Sequence, residues 1–73
     1  MDVTELKIGE EAKVKKIKAD SVLKQRLISF GVIKGATIKL LATAPAKSTV
    51  EIEVGKMKIA LRKEEAQNIE VEK

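Results

Sequence analysis

Cysteine and histidine are both missing from this chain of 73 residues, and the two absences together remove most of the chemistry a small protein can perform. Without cysteine there are no disulfides and no thiolate metal sites, so the fold must stand on packing. Without histidine there are no Ser–His or Cys–His nucleophile pairs, no imidazole bases and almost no zinc, copper or haem ligation. Catalysis would be left to carboxylates, lysines and hydroxyls, and a chain this short offers little concave volume for a substrate. An enzyme is not expected, nor a bound metal or cofactor. Aromatics are nearly absent as well, with one Phe and no Tyr or Trp. That disfavours the aromatic grooves that read proline-rich peptides, the cages that read methyl-lysine, and the stacking platforms that hold single-stranded nucleic acid. No apolar run approaches the roughly 18–20 residues that span a bilayer, and the start Met-Asp-Val-Thr-Glu has neither the basic nor the apolar region of a secretory signal. A cytoplasmic location, without direct membrane insertion, is the expectation.

What is present is charge, unevenly placed. Eight basic residues lie between Lys13 and Lys39 against the single acid Asp20, a local balance of +7, whereas from Leu41 onward six bases and six acids cancel. Such a segment fits an acidic partner surface, a phosphate backbone contacted without sequence preference, or a solvated lysine-rich face. The pairs Glu10-Glu11 and Glu64-Glu65, and Glu51 with Glu53 on one strand face, read as solvated carboxylates rather than a metal site.

The pattern of apolar residues divides the chain into short elements with no repeat, linker or second domain; residues 1–73 form one unit. Ala12 to Lys18 alternates apolar and charged residues but slips phase between Val14 and Ile17, which predicts a bulge at Lys15-Lys16. Leu23, Leu27 and Phe30 then recur at helical spacing over Asp20–Gly31, with Asp20 or Ser21 to cap the start and Gly31 to end it. Gly35 closes the following turn, and Ala36–Ala42 is a strand with Ile38 and Leu40 inward and Leu41 facing away. Val50, Ile52 and Val54 pair across a Gly55-Lys56 turn with Met57, Ile59 and Leu61, all expected inward. Lys63–Gln67 is a helical turn, and Asn68–Glu72 a last strand. The expected architecture is mostly β: a small SH3-like barrel of about five strands with one short helix between strands 1 and 2. Leu27, Gly31, Gly35, Gly55 and Leu61 are its structural positions.

The run Gln25-Arg26-Leu27-Ile28-Ser29-Phe30-Gly31-Val32-Ile33-Lys34-Gly35 resembles the FeoA pattern Arg-Leu, three residues, Gly-hydrophobic, two residues, Gly. Leu6 and Gly9 upstream, Ala44-Pro45 in the middle, and Ile59-Ala60-Leu61-Arg62 with Glu65-Ala66 downstream fall in the family's order. The resemblance implies an SH3-like domain that serves ferrous-iron uptake without catalysis, through protein–protein contact with FeoB, a membrane transporter with a cytoplasmic GTP-binding part. It also implies an alternative, since the same domain type ends DtxR-like iron-dependent repressors; a second alternative is a basic barrel held on nucleic-acid phosphates, a partner the missing aromatics disfavour. Two positions depart from the family: Lys34 stands where proline is usual, and Ala46-Lys47-Ser48 replaces a Gly/Asp-rich loop. The partner surface is expected on the exposed side of the Ser21–Phe30 helix and the neighbouring strand, with Lys24, Arg26, Lys34 and Lys39 supplying charge and Leu41 an apolar contact.

Overall fold

Apolar residues recur every second position along most of this chain and every third or fourth over one stretch, and the structure follows that change of period. The computed structural model describes residues 1–73, the Lys47 side chain excepted. Five strands, β1 (Glu11–Ile17), β2 (Thr37–Thr43), β3 (Thr49–Val54), β4 (Met57–Arg62) and β5 (Ile69–Glu72), form one antiparallel sheet in the order β4-β3-β2-β1-β5. Helix α1 (Ser21–Ser29) lies between β1 and β2, and the four-residue α2 (Lys63–Ala66) joins β4 to β5. This is the expected five-stranded, mostly β arrangement with its helix in the expected place. Among the described residues no helix is long and apolar enough to cross a membrane.

β1 is the hinge of the sheet. Its first half pairs with β2 and its second half with β5, and the register shifts between Val14 and Lys16. The bulge leaves Ala12 and Val14 buried while Lys15 and Lys16, consecutive in sequence, both stay on the solvent side. A second shift, between Leu40 and Ala42, falls on Leu41 in β2 and had no signal in the alternation of that strand. Two bulges in adjacent strands add the twist and bend a small sheet needs to wrap one core. That core includes Leu27, Ile38, Leu40, Ile52, Leu61 and Ile69, all essentially inaccessible to solvent. Each such side chain contributes roughly 1.5–3 kcal/mol of burial.

Helix α1 begins and ends as its sequence requires. The Asp20 carboxylate accepts the Leu23 N–H at 2.9 Å, satisfying one of the free donors of the first turn. At the other end the Gly31 N–H donates to the Ile28 carbonyl and the Val32 N–H to the Leu27 carbonyl, both at 2.9 Å. This is the paired closure of a Schellman cap, which needs a residue with positive φ; Gly31 sits at +91°. Phe30 is therefore the cap residue rather than the last helical one. The Gly55-Lys56 turn holds Gly55 at φ +60° with no positive φ at Lys56, as a two-residue hairpin led by glycine should.

Three further findings depart from the expected pattern. Met57 does not join Ile59 and Leu61 in the core: it is 47% exposed, because it stands directly after the hairpin turn, where the ladder runs past the end of the packed layer. β2 runs from Thr37 to Thr43, one residue later than the strand expected from its alternation. The N-terminus is ordered by a 3₁₀ turn over Val3–Glu5, in which the Asp2 N–H donates to Glu5 and the Asp2 carboxylate accepts from Thr4. It buries Val3 completely and lays the Met1 carbonyl against the Val71 N–H, at 2.8 Å, covering the free edge of β5.

Candidate docking groove

Where β1 passes α1, the backbone brings three distant stretches of sequence together. The Gly35 N–H donates to the Val14 carbonyl and the Val14 N–H to the Ala36 carbonyl, each at 2.8 Å. Those two bonds pin the turn after α1 alongside the β1 bulge, so Ile33 and Lys34 come to lie beside Lys15 and Lys16. On the helix, Lys24 and Ile28 are four residues apart and share a face. The result is a groove of about 630 Å³ between β1, α1 and the turn.

Its floor is aliphatic. Ile17, Ile28 and Ile33 supply it, and Ile28 and Ile33, 45% and 49% exposed, lie side by side there, whereas the more exposed Ile8 and Val22 are outside the lining. Lys15, Lys16, Lys24 and Lys34 stand around the floor, with Glu72 the one carboxylate in the lining. Among the described residues none of the four lysines takes part in an ion pair; the pairs present are Lys18 with Glu70, Arg26 with Glu65, and Lys73 with Glu10. Four cations are thus gathered around one carboxylate, with Glu70 opposite Lys16 on β5 already paired to Lys18.

Of the residues expected to meet a partner, Lys24 and Lys34 are brought together here and Arg26, Lys39 and Leu41 are not. Arg26 lies two residues beyond Lys24, about 200° around the helix. It turns away from the groove and places Nη2 3.2 Å from the Glu65 carboxylate, whose other oxygen accepts the Arg62 N–H at 3.0 Å. That contact ties α1 to α2. Lys39 lies across the sheet, opposite Glu11 on one neighbouring strand and Glu53 on the other, so its charge is offset locally. Leu41 sits half-buried at the β2 bulge, away from the groove. Lys15, Lys16, Ile28 and Ile33 are not among the partner contacts expected from the sequence. The consecutive lysines at the predicted bulge were the available signal, because a bulge sends both to one side.

No group of three or more carboxylates among the described residues is arranged to hold a metal ion. One carboxyl stands out electrostatically: Glu10 is held below the ordinary carboxylate range, first by its hydrogen bond from the Lys73 ammonium and then by the Lys7 N–H at 2.9 Å. It lies outside the groove lining.

A packed antiparallel sheet, one inserted helix and a basic groove with an aliphatic floor define a small, mostly β module. The sequence profile of the FeoA domain matches residues 1–73. The chain is 37% identical over 71 residues to a putative Fe(2+) transport protein A of Campylobacter jejuni, spanning 97% of this chain and 96% of that one. It is also 31% identical over 72 residues to an Fe(2+) transport protein A/Fe(2+) transporter FeoB fusion protein of Porphyromonas gingivalis, covering 99% of this chain but 8% of the fusion. Among solved structures, the FeoA protein of Chlorobium tepidum superposes with a TM-score of 0.91 at 34% identity, over 97% of this chain and 68% of that one. The zinc complex of Stenotrophomonas maltophilia FeoA, described as a procaryotic SH3 domain protein, superposes at 0.86 with 28% identity, over 99% and 89%. The chain belongs to the FeoA family, whose members are linked to ferrous-iron transport, and its fold is SH3-like.

Proposed function

We propose that this chain is a non-catalytic, cytoplasmic accessory of ferrous-iron uptake that acts by docking on the cytoplasmic GTP-binding part of a FeoB-type transporter. The observation that carries the reading is the Porphyromonas fusion, in which a segment aligned with nearly all of this chain is continuous with FeoB. Covalent joining keeps two modules at millimolar effective concentration, an arrangement that serves partners which touch each other. The groove fits the same reading. A phosphate backbone would use the lysines but leave three isoleucines facing a charged ligand, whereas a protein surface can satisfy both. Lys24 and Lys34 are the docking residues in this reading, and Arg26 holds α1 to α2.

The test is genetic. In a bacterium that keeps its FeoB but lacks its FeoA, expression of this chain should restore uptake of radiolabelled Fe(II). If the folded chain accumulates and uptake stays at the level of the deletion strain, the reading fails.

A further inference from the structure

We infer that the groove between β1 and α1 receives an acidic amphipathic helix of the partner, with aliphatic side chains on one face seated on Ile17, Ile28 and Ile33 and flanking carboxylates meeting the four lysines. The inference rests on the docking reading above and specifies its chemistry. Charge complementarity argues for the occupant. Lys15 and Lys16 arrive from the β1 bulge, Lys24 from α1 and Lys34 from the turn; among the described residues none of them is in an ion pair, and of the carboxylates close by, Glu72 stands alone in the lining while Glu70, opposite Lys16 on β5, is paired with Lys18. Like charges gathered around an apolar floor repel one another until an anionic ligand neutralises them. The floor supplies the second half of the recognition. Ile28 and Ile33 leave about half their surface in water, and covering them removes apolar area that the fold alone does not bury.

The shape of the site favours a helix over an extended strand. Ile17 belongs to β1, Ile28 to α1 and Ile33 to the turn, so the aliphatic contacts come from three elements around the groove rather than from one sheet edge. An extended peptide adds to a sheet through main-chain hydrogen bonds along a free edge, and on the groove side β1 is taken by β2 over Glu11–Lys13 and by Gly35 and Ala36 at Val14, which leaves only its last three residues, too short an edge for a strand. A helix with anchors three and four residues apart needs only side-chain contacts.

The experiment follows backbone amide shifts of the labelled chain during titration with a synthetic helical peptide carrying leucines on one face and glutamates on both flanks. Parallel titrations use the peptide with its leucines replaced by serine, and phosphatidylglycerol vesicles. The inference expects shifts centred on Ile17, Ile28 and Ile33. It also expects no binding of the serine peptide and about tenfold or greater weakening at low salt for Ile28→Glu and for Lys24→Glu with Lys34→Glu. Both sites are exposed enough for the variants to fold, and Ile33→Glu is a second apolar probe should Ile28→Glu unfold. Shifts elsewhere, affinity indifferent to these variants, or vesicles moving the groove resonances when the peptide does not, overturn the inference. The cytoplasmic part of the transporter separates the two readings. Binding that survives Ile28→Glu removes the groove but keeps the proposed function; peptide binding without transporter binding does the reverse.

Discussion

Replacing Gly31 by alanine separates backbone conformation from packing, because the space for a methyl group is already there. A Cβ built at Gly31 would meet only the Val54 Cγ1, at 3.7 Å, an ordinary contact, so no steric penalty arises. What remains is the φ of +91°, which an L-residue adopts at a cost of about 1–2 kcal/mol. Alanine also stiffens the unfolded chain, which returns about 0.4–1 kcal/mol. The net destabilisation should be about 1 kcal/mol, and for a domain of this size that lowers the melting temperature by about 4–8 °C. Gly35 has φ +89° and open space around its missing Cβ, so Gly35→Ala should cost about the same. Thermal and urea unfolding of the two variants beside the parent would measure both. Equal stability of Gly31→Ala and the parent would refute the cap assignment, and a loss at Gly31 several-fold larger than at Gly35 would show that packing against Val54, not conformation, sets the cost.

The opposite sign is expected at Ala46, among the described residues the one non-glycine with positive φ, at +61°: Ala46→Gly should raise stability by a few tenths to about 1 kcal/mol, and a lower urea midpoint would contradict it. Arg26 and Glu65 should show a coupling of no more than about 1 kcal/mol in a double-mutant cycle on unfolding, since the pair is partly solvated and screened; a larger value would mean the contact is drier than it looks. Glu10 should titrate below the ordinary glutamate range in a carboxyl NMR titration. Because its folded pKa is depressed, its contribution to stability is present above the unfolded value and disappears as pH falls through the folded one. High salt should move it back toward the ordinary range by weakening the Lys73 contact; titration at the ordinary glutamate value at low salt would contradict the geometry.

Local rules made much of the fold readable and little of the site. The β1 bulge, the α1 caps and the Gly55-Lys56 hairpin each depend on residues within a few positions of one another, and each stands where the pattern placed it. The N-terminal turn was readable too, for Asp2 and Glu5 have the spacing of a capping box, but a single 3₁₀ turn leaves no periodic trace. Met57 shows where alternation stops informing: the pattern continues to the end of a strand whether or not a core lies beneath it. The groove is a different case. It takes Ile17 from a strand that reads as core-facing, Ile28 from beside the buried face of a helix, and Ile33 from a turn. The two hydrogen bonds between Val14 and the Gly35-Ala36 pair, with the shared core beneath, bring them together. For the same reason a linear tally of charge grouped Arg26 and Lys39 with Lys24 and Lys34, although the helix turns Arg26 toward Glu65 and the sheet sets Lys39 between Glu11 and Glu53.

The central claim, that this chain works by docking on a FeoB-type transporter, is tested most directly by calorimetry of the chain against the cytoplasmic part of the FeoB of its own organism, without nucleotide and with GDP or a GTP analogue. The account predicts a saturable, one-to-one isotherm in at least one nucleotide state, weakening as salt is raised because unpaired lysines contribute to encounter. No heat of binding in any nucleotide state, with both proteins folded, would contradict it.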